Sequence, residues 1–156
     1  MASRRSEIAM TEAELARFLD EERVLTCATI GPNGRPHLMP LWYVRDGLTL
    51  LVWTYGRSQK VRNLERDPRA TVQVEAGRDR YGELRGVMFE CDVAIERDPE
   101  RILAVGLRLA ARYGGADGGP EARERVLQQG RKRVILRFTP TRTVSWDHRK
   151  LGAAAY

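Results

Sequence analysis

Hydrophobic and polar residues alternate over much of the chain, and this pattern predicts strands rather than long helices. The alternation is clearest at 85–96, where Val87, Phe89 and Cys91 point to one side and Glu90 and Asp92 to the other. Such a strand has one buried face and one face in water. The same argument, together with short apolar runs, predicts further strands at 23–30, 36–44, 48–54, 70–76 and 132–139, with a last extension at 142–147.

Turn signals connect the first three strands. Asn33-Gly34 and Asp46-Gly47 each lie between two apolar runs and supply residues that tolerate positive φ. They predict two hairpins in series, which would form an antiparallel meander. Because helices are expected only at the connections, we predict a mainly β fold, a small closed or partly closed barrel of six strands, or seven if 142–147 is separate.

Four helices are predicted around this sheet. Thr11 and Glu14 form a capping box that begins the first helix, and Ser58 caps a short helix at 59–66 that Asp67-Pro68 ends. Two more helices are expected at 98–113 and 121–129, with a loop at 114–120 between them. We interpret 11–151 as one domain, with flexible ends at 1–10 and 152–156.

Composition narrows the class of protein. The chain has 156 residues, 42% hydrophobic and 31% charged, which is typical of one globular domain. No apolar run approaches the roughly 20 residues of a membrane span, and no apolar stretch follows the N-terminal arginines, so we expect a cytoplasmic protein without a membrane partner. The two cysteines, Cys27 and Cys91, are expected to be buried reduced thiols, and a metal site is not expected.

A net charge of +6 suggests an anionic partner, and segment 54–69 offers a place for one. A strand ends there, the chain turns at Gly56, and a helix begins whose first turn has free N–H groups that favour phosphate. Arg57, Ser58, Lys60 and Asn63 add a guanidinium, a hydroxyl, an ammonium and an amide, and Lys60 and Asn63 project to the same side of the helix. Together they predict a phosphate-binding site.

A simpler interpretation of this helix is equally compatible with the sequence. Lys60, Arg62 and Arg66 are then its solvent-exposed face, while Val61 and Leu64 pack it against the barrel.

Pro40 is the second unusual feature, because a proline inside a strand removes a donor from the ladder. Backbone groups of Met39 and Leu41 are then candidates to meet a ligand, with Trp42, Tyr43 and Trp53 as nearby aromatic surface. From this feature alone, an edge strand protected by proline is the favoured interpretation. Catalysis by His37 is not favoured.

These motifs, in this order, resemble one known family. The chain carries Ala28-Thr29, Gly34-Arg35-Pro36-His37, Pro40-Leu41-Trp42, Asp46-Gly47, the run from Arg57 to Leu64, Asp67-Pro68, Ala111-Arg112-Tyr113-Gly114 and an ending from Val134 to Asp147. This set resembles the pyridoxamine 5'-phosphate oxidase-like split β-barrel proteins, and especially their actinobacterial branch that uses the deazaflavin coenzyme F-420. The resemblance covers about Thr11 to Leu151.

The resemblance implies a six-stranded Greek-key split barrel that forms a homodimer, with cofactors in clefts between the protomers. It implies that Arg57, Ser58, Lys60 and Asn63 bind the cofactor phosphate. It also implies that the cofactor ring lies along the strand carrying Met39, Pro40, Leu41 and Trp42, with Thr54 close by, and that Trp146 closes the cleft. The cofactor would be F-420, with FMN as the alternative. The C-terminal substrate-binding motif of the vitamin-forming oxidases has no counterpart in this sequence.

Three functions follow as hypotheses. The first is an oxidoreductase that transfers a hydride between the bound cofactor and a small organic substrate. The second is a protein that binds or stores the cofactor without turnover. The third, a nucleic-acid-binding barrel, ranks last because the arginines are scattered and no aromatic stacking stripe accompanies them. The segment 77–86, rich in glycine and arginine, is either a contact for an acidic cofactor tail or an ordinary turn.

Overall fold

The computed structural model describes residues 4–114 and 119–155. Residues 1–3, 115–118 and 156, which include parts of the predicted flexible ends and of the 114–120 loop, lie outside the described residues. The helices are α1 (Arg4–Glu7), α2 (Glu12–Glu21), α3 (Gln59–Arg66), α4 (Pro99–Gly114) and α5 (Pro120–Gly130), with 3-10 segments at Tyr81–Glu83 and His148–Ala155. The strands are β1 (Val24–Ile30), β2 (Pro36–Trp42), β3 (Val44–Asp46), β4 (Thr49–Tyr55), β5 (Arg69–Ala76), β6 (Arg85–Glu96) and β7 (Arg133–Asp147). Among the described helices, none is long and apolar enough to span a bilayer.

All strands belong to one antiparallel sheet in the order β2-β1-β5-β6-β7-β4-β3. Both predicted hairpins are present, since β1 pairs with β2 and β3 pairs with β4. The predicted meander is wrong, because β2 and β3 are consecutive in the chain yet lie at opposite ends of the sheet. A single residue, Tyr43, joins those two ends, so the sheet must curl round on itself. The mainly β, split-barrel class is therefore confirmed, although the described chain has seven strands rather than six.

The strand predicted at 36–44 breaks at Tyr43 for a reason that lies far away in sequence. The backbone N–H of Tyr43 donates to the hydroxyl of Tyr113 (3.1 Å), and its carbonyl accepts from Tyr113 (2.8 Å) and from Arg112 (3.2 Å). Both backbone groups are thus satisfied by side chains of α4 instead of by a neighbouring strand. The phenol ring is fully buried, and its hydroxyl donates to the carbonyl of Leu19 (2.7 Å).

The two strands predicted at 132–139 and 142–147 form one strand, β7, which continues past Pro140. Proline is tolerated there because the register against β6 shifts between Glu90 and Cys91, which pair with Arg142 and Pro140 respectively. Thr141 is the extra residue, and its hydroxyl donates to the carbonyl of Glu90 (3.0 Å). A bulge therefore absorbs the proline without ending the strand.

Two hydrophobic clusters lie on the two faces of the sheet. The inner cluster fills the barrel and includes Phe18, Leu25, Val72, Phe89 and Phe138. The outer cluster lies between β4, β7 and α4, and consists of Val44, Leu51, Ile102, Val105, Leu109 and Ile135, with Trp53 and Tyr113 packed against it. The helical excursion after β6 thus covers the outer face of β4 and β7, which would otherwise expose apolar side chains.

Two other sequence expectations are confirmed. Thr11 and Glu14 form the reciprocal capping box at the start of α2, with the Thr11 N–H donating to the Glu14 carboxylate (2.7 Å). Cys27 and Cys91 are free and buried in the barrel, and burial raises the pKa of each thiol to about 12.

Candidate functional site

The turn from β4 into α3 builds the predicted phosphate-binding corner. β4 ends at Tyr55, the N–H of Gly56 donates to the carbonyl of Lys132 (3.0 Å), and the N–H of Ser58 donates to the carbonyl of Tyr55 (3.0 Å). Ser58 is the N-cap of α3, but its hydroxyl makes no capping hydrogen bond. Its Oγ is buried, and no residue that the structure describes gives it a hydrogen-bond partner. A buried hydroxyl without a partner at a helix start is suited to a bound anion.

Lys60 lies in the first turn of α3 and points into the barrel. The residue is only 8% exposed, and its Nζ donates to the hydroxyl of Thr54 (3.1 Å). Within the described part of the chain, no carboxylate lies within 4.0 Å of it. Burial lowers the pKa of Lys60, and the nearby charge of Arg133 lowers it further, while the Cys27 thiol acts in the opposite direction. A buried ammonium without an anion is the strongest electrostatic feature of this corner.

Asn63, which the sequence predicts to contact phosphate, makes its hydrogen bonds inside the protein. Its side chain is fully buried, its Nδ2 donates to the hydroxyl of Thr29 (3.0 Å), and its Oδ1 accepts from Gln59 (2.8 Å). These bonds fasten α3 to β1 from inside. The structure therefore places Asn63 where it orients the helix, with Lys60 three residues earlier on the same side.

The remaining cations of the segment lie in solvent. Arg57, Arg62 and Arg66 are exposed, and Arg66 donates to the carbonyl of Ile30 (2.6 Å). The interpretation of this helix as a solvated basic face is therefore right for Arg62 and Arg66 and wrong for Lys60. Arg57 has no carboxylate within 4.0 Å among the residues described, so its guanidinium is available beside Ser58.

β2 is an edge strand, as the proline argument favoured. It pairs with β1 without a register shift, with Thr26 opposite Pro40 and Ile30 opposite Pro36. The two prolines are four residues apart and therefore occupy the same phase of the ladder. Since proline cannot donate, this phase must be the one whose backbone groups point away from β1. The N–H groups facing the free edge are consequently those of Leu38 and Trp42, and not those of Met39 and Leu41 as expected from the sequence.

The four predicted ring-contact residues divide between the two faces of β2. Met39 and Leu41 lie opposite the buried Cys27 and Leu25, so they face the barrel interior, whereas Pro40 and Trp42 face outward. Trp42 is 58% exposed and stacks on Tyr113, with ring centroids 4.6 Å apart and planes 5° apart. One face of the indole thus packs on Tyr113 of α4, and the rest of the side chain is exposed to solvent. Tyr113 is a neighbour that the sequence argument did not assign to the site.

The inner face of β2 reaches toward the corner at α3. Thr29 accepts a hydrogen bond from Asn63 and lies opposite His37 on β2. Cys27 interacts electrostatically with Lys60 and lies opposite Met39. His37 is half-buried, and its Nδ1 is enclosed without a hydrogen-bond partner among the described residues. The predicted phosphate residues and the inner side chains of β2 are therefore connected through β1.

Three aromatic residues predicted near this strand lie elsewhere. Tyr43 is buried at the junction of the sheet ends, and Trp53 lies on the outer face of β4 against Gly106 of α4. Trp146 lies on β7 and covers Gly86 of the neighbouring strand, where a Cβ atom would come within 2.4 Å of the indole. Within one protomer, none of the three joins the corner at α3.

The segment 77–86 forms a turn that carries two exposed ion pairs. Gly77 adopts a positive φ of 83°, and ion pairs join Arg78 to Glu75 and Arg80 to Glu83, both at 3.7 Å. All four side chains are largely exposed, so these pairs contribute little stability.

An apolar surface accompanies the candidate site on β1 and β2. Four of the large hydrophobic residues that the structure leaves exposed lie on the outer face of these two strands: Val24, Ile30, Leu38 and Trp42. An exposed apolar edge strand is a template for association, which proteins ordinarily cover or interrupt.

Comparisons with known proteins agree with this geometry. The family profile described as pyridoxamine 5'-phosphate oxidase matches residues 11–147. A solved structure of a conserved hypothetical protein, Rv2991 from Mycobacterium tuberculosis, is 45% identical, with a TM-score of 0.89 over 97% of this chain and 93% of that one. No curated protein sequence matches the chain.

More distant structures share the fold. A structure titled F-420 reductase is 25% identical, with a TM-score of 0.62 over 81% of this chain and 93% of that one. HutZ, described as a heme storage protein from Vibrio cholerae, is 21% identical, with a TM-score of 0.67 over 86% of this chain and 94% of that one. At this identity the likeness to HutZ concerns the fold alone.

Proposed function

Because the chain belongs to the pyridoxamine 5'-phosphate oxidase family, we propose that it is an oxidoreductase that binds a phosphorylated flavin or deazaflavin at the start of α3. Coenzyme F-420 is the first choice and FMN the alternative. The likeness to a structure titled F-420 reductase supports this order, as does the resemblance of the motifs to the F-420-using branch.

The observation that carries the proposal is the state of Lys60. Among the residues that the structure describes, this buried ammonium has one hydrogen-bond partner, the neutral Thr54 hydroxyl; such burial is costly to the folded protein, and a bound phosphate would relieve that cost. The unpartnered Ser58 hydroxyl and the exposed Arg57 guanidinium stand on the same turn and would supply further donors. Thr54 would hold Lys60 in position, and Asn63 would hold the helix.

We further propose that β2 borders the cofactor ring and that two protomers associate over the apolar surface of β1 and β2. Outward N–H groups of Leu38 and Trp42, together with the exposed indole, would face a planar group at this edge. A second copy of the chain would cover side chains that are otherwise left in water, so the cleft between protomers is the place where phosphate and ring contacts can both be made. Met39 and Leu41 would contribute from the inner side.

A bound flavin or deazaflavin would supply the hydride chemistry itself. The chain then needs no nucleophile, and its task is to hold the phosphate, fix the ring plane and leave one face open to a small organic substrate. The enclosed His37 and the acidic residues on the wet face of β6 have no required role in this scheme.

Binding of F-420 and of FMN to Lys60→Met tests the proposal, with Arg62→Met as the matched control on the same helix. Loss of a hydrogen bond to a charged group is worth about 1.5–3 kcal/mol, so the dissociation constant should rise about 10- to 150-fold in Lys60→Met. Arg62→Met should change it less than about twofold, because that side chain is solvated. Isothermal titration with each cofactor measures both and shows which cofactor is preferred.

Two outcomes would contradict the proposal. If neither cofactor binds the wild-type protein, the cofactor assignment is wrong. If both variants bind as the wild type does, Lys60 does not hold the phosphate. Binding without hydride transfer to a panel of enones and quinones would instead favour a carrier of the cofactor over an enzyme.

A further inference from the structure

A second site candidate lies outside the barrel, on the face covered by the helical excursion. A cavity of about 1000 Å³ opens between the end of β4, the start of β7 and the helices α4 and α5. Its size is at the upper end of small-molecule sites, which usually span about 300–1000 Å³. The cavity lies on the outer side of β4 and β7, whereas Lys60 and Thr54 face the barrel interior; Arg57, on the turn after β4, borders both the cavity and the proposed phosphate site.

The cavity carries a strong excess of positive charge. Five cationic residues line it and only one acidic residue, Glu124, does so; the cations are Arg57, Arg97, Arg131, Lys132 and Arg133. Arg97 is paired with Glu65 (2.6 Å). The other four have no carboxylate within 4.0 Å in the portion of the chain that the structure describes.

Arg133 is fixed in place although no carboxylate holds it. Its guanidinium lies 3.7 Å from the centre of the Tyr55 ring and 5.4 Å from that of Trp53. Its Nε is buried and has no hydrogen-bond partner among the described residues. An arginine whose guanidinium lies against the rings of two aromatic residues of β4 is ordered in advance for an anion.

Apolar side chains form the rest of the lining. Ile102 and Leu103 come from α4, Val126 and Leu127 from α5, and Val134 from β7. Leu127 is among the exposed large hydrophobic residues of the protein, so this lining is open to a ligand. A charged rim above an apolar floor matches a molecule that has one acidic head and one apolar body.

We propose that this cavity binds an organic anion with an apolar body, such as a medium-chain carboxylate or an aromatic sulfonate. The head would lie among Arg131, Lys132 and Arg133, and the body over Leu103 and Leu127. Inorganic phosphate would leave the apolar floor uncovered, and a nucleic acid strand would not enter a recess walled by two helices. The inference does not depend on the proposed cofactor.

Fluorescence titration with anilinonaphthalene sulfonate tests the inference on the full-length protein. The double variant R131A/K132A removes two cations of the rim, and R123A/R125A removes two exposed cations of α5 that do not line the cavity. The first should raise the dissociation constant about tenfold or more, since each contact is a charge-assisted hydrogen bond. The second should change it less than about twofold. Phenylnaphthylamine, the neutral analogue, should bind the wild type more weakly and should not distinguish the variants.

Displacement identifies the class of ligand. Decanoate should displace the bound dye, whereas inorganic phosphate at the same concentration should not. Equal dye affinity in the two double variants would overturn the proposal, because the dye would then lie on another apolar surface such as β1 and β2. Equal affinity of the sulfonate and its neutral analogue would overturn it as well, because the cations would then have no part in binding.

Discussion

Lys60→Met should make the ligand-free protein more stable while it weakens ligand binding. Lys60 is 8% exposed and its ammonium has one neutral partner, Thr54. Methionine fits a similar volume without charge, and removal of a poorly compensated buried charge commonly gains about 1–2 kcal/mol. For a chain of this size the unfolding midpoint should rise by about 2–8 °C.

The pH dependence of stability gives a second, independent test of the same substitution. Burial lowers the pKa of Lys60 below its ordinary value of 10.5, so the unfolded chain binds more protons between the two values. The loss of stability caused by burying the charged ammonium is largest below the pKa that Lys60 has in the folded protein, and it disappears as the pH rises through 10.5. The stability advantage of Lys60→Met over the wild type should therefore shrink between neutral pH and pH 10.5.

Urea unfolding at fixed protein concentration, with and without F-420 or FMN, measures these effects. Ligand at about 100 times the wild-type dissociation constant adds about 2.7 kcal/mol to the wild type but only about 0.3–1.4 kcal/mol to a variant that binds 10- to 150-fold more weakly, so the stability advantage of Lys60→Met should fall by about 1.3–2.4 kcal/mol when ligand is present. Arg62→Met should follow the wild type throughout. If Lys60→Met is less stable than the wild type without ligand, Lys60 is a structural residue and the reasoning is refuted.

Three substitutions test contacts that hold the fold together. Arg112→Met removes donors to carbonyls at the end of α2 and to the Tyr43 junction, and chemical denaturation should show a loss of about 1.5–3 kcal/mol. Asp147→Asn breaks the ion pair with Arg149 that lowers the pKa of Asp147 below 3.8. The free energy of unfolding should fall by about 1–2 kcal/mol at pH 7. This difference from the wild type should disappear as the pH falls through the pKa of Asp147 in the folded protein, which acid titration of stability would show. Gly86→Ala places a Cβ atom 2.4 Å from Trp146, so a loss of about 1–3 kcal/mol and a changed near-ultraviolet circular dichroism spectrum are expected.

The sequence predicts an element correctly where neighbouring residues alone determine it. The helix Gln59–Arg66 and the strand Arg85–Glu96 have the predicted bounds. Asp67-Pro68 ends the helix and strict alternation marks the strand, although Ser58, the predicted cap, makes no capping hydrogen bond through its side chain. The break at Tyr43 could not be predicted in this way. Its cause is Tyr113 on α4, which is 70 residues further along the chain and takes up both backbone groups.

The direction in which α3 faces is also a tertiary property. The spacing of Lys60 and Asn63 correctly placed them on one side of the helix, but cationic and amide side chains usually face water, and here that side faces the barrel. The signal that could have shown this is the pair Val61 and Leu64, which are buried alongside them, so the apolar stripe and the two polar residues share the inner half of the helix.

The contacts of α3 explain why the candidate site can hold a buried charge ready for a ligand. The hydrogen bonds of Asn63 to Thr29 and of Lys60 to Thr54 tie the same helix to β1 and to β4, which lie on opposite sides of the curled sheet. The helix cannot turn to release Lys60 into water without breaking the bond of the fully buried Asn63 amide. The fold therefore keeps Lys60 inside and leaves Ser58 without a side-chain capping hydrogen bond.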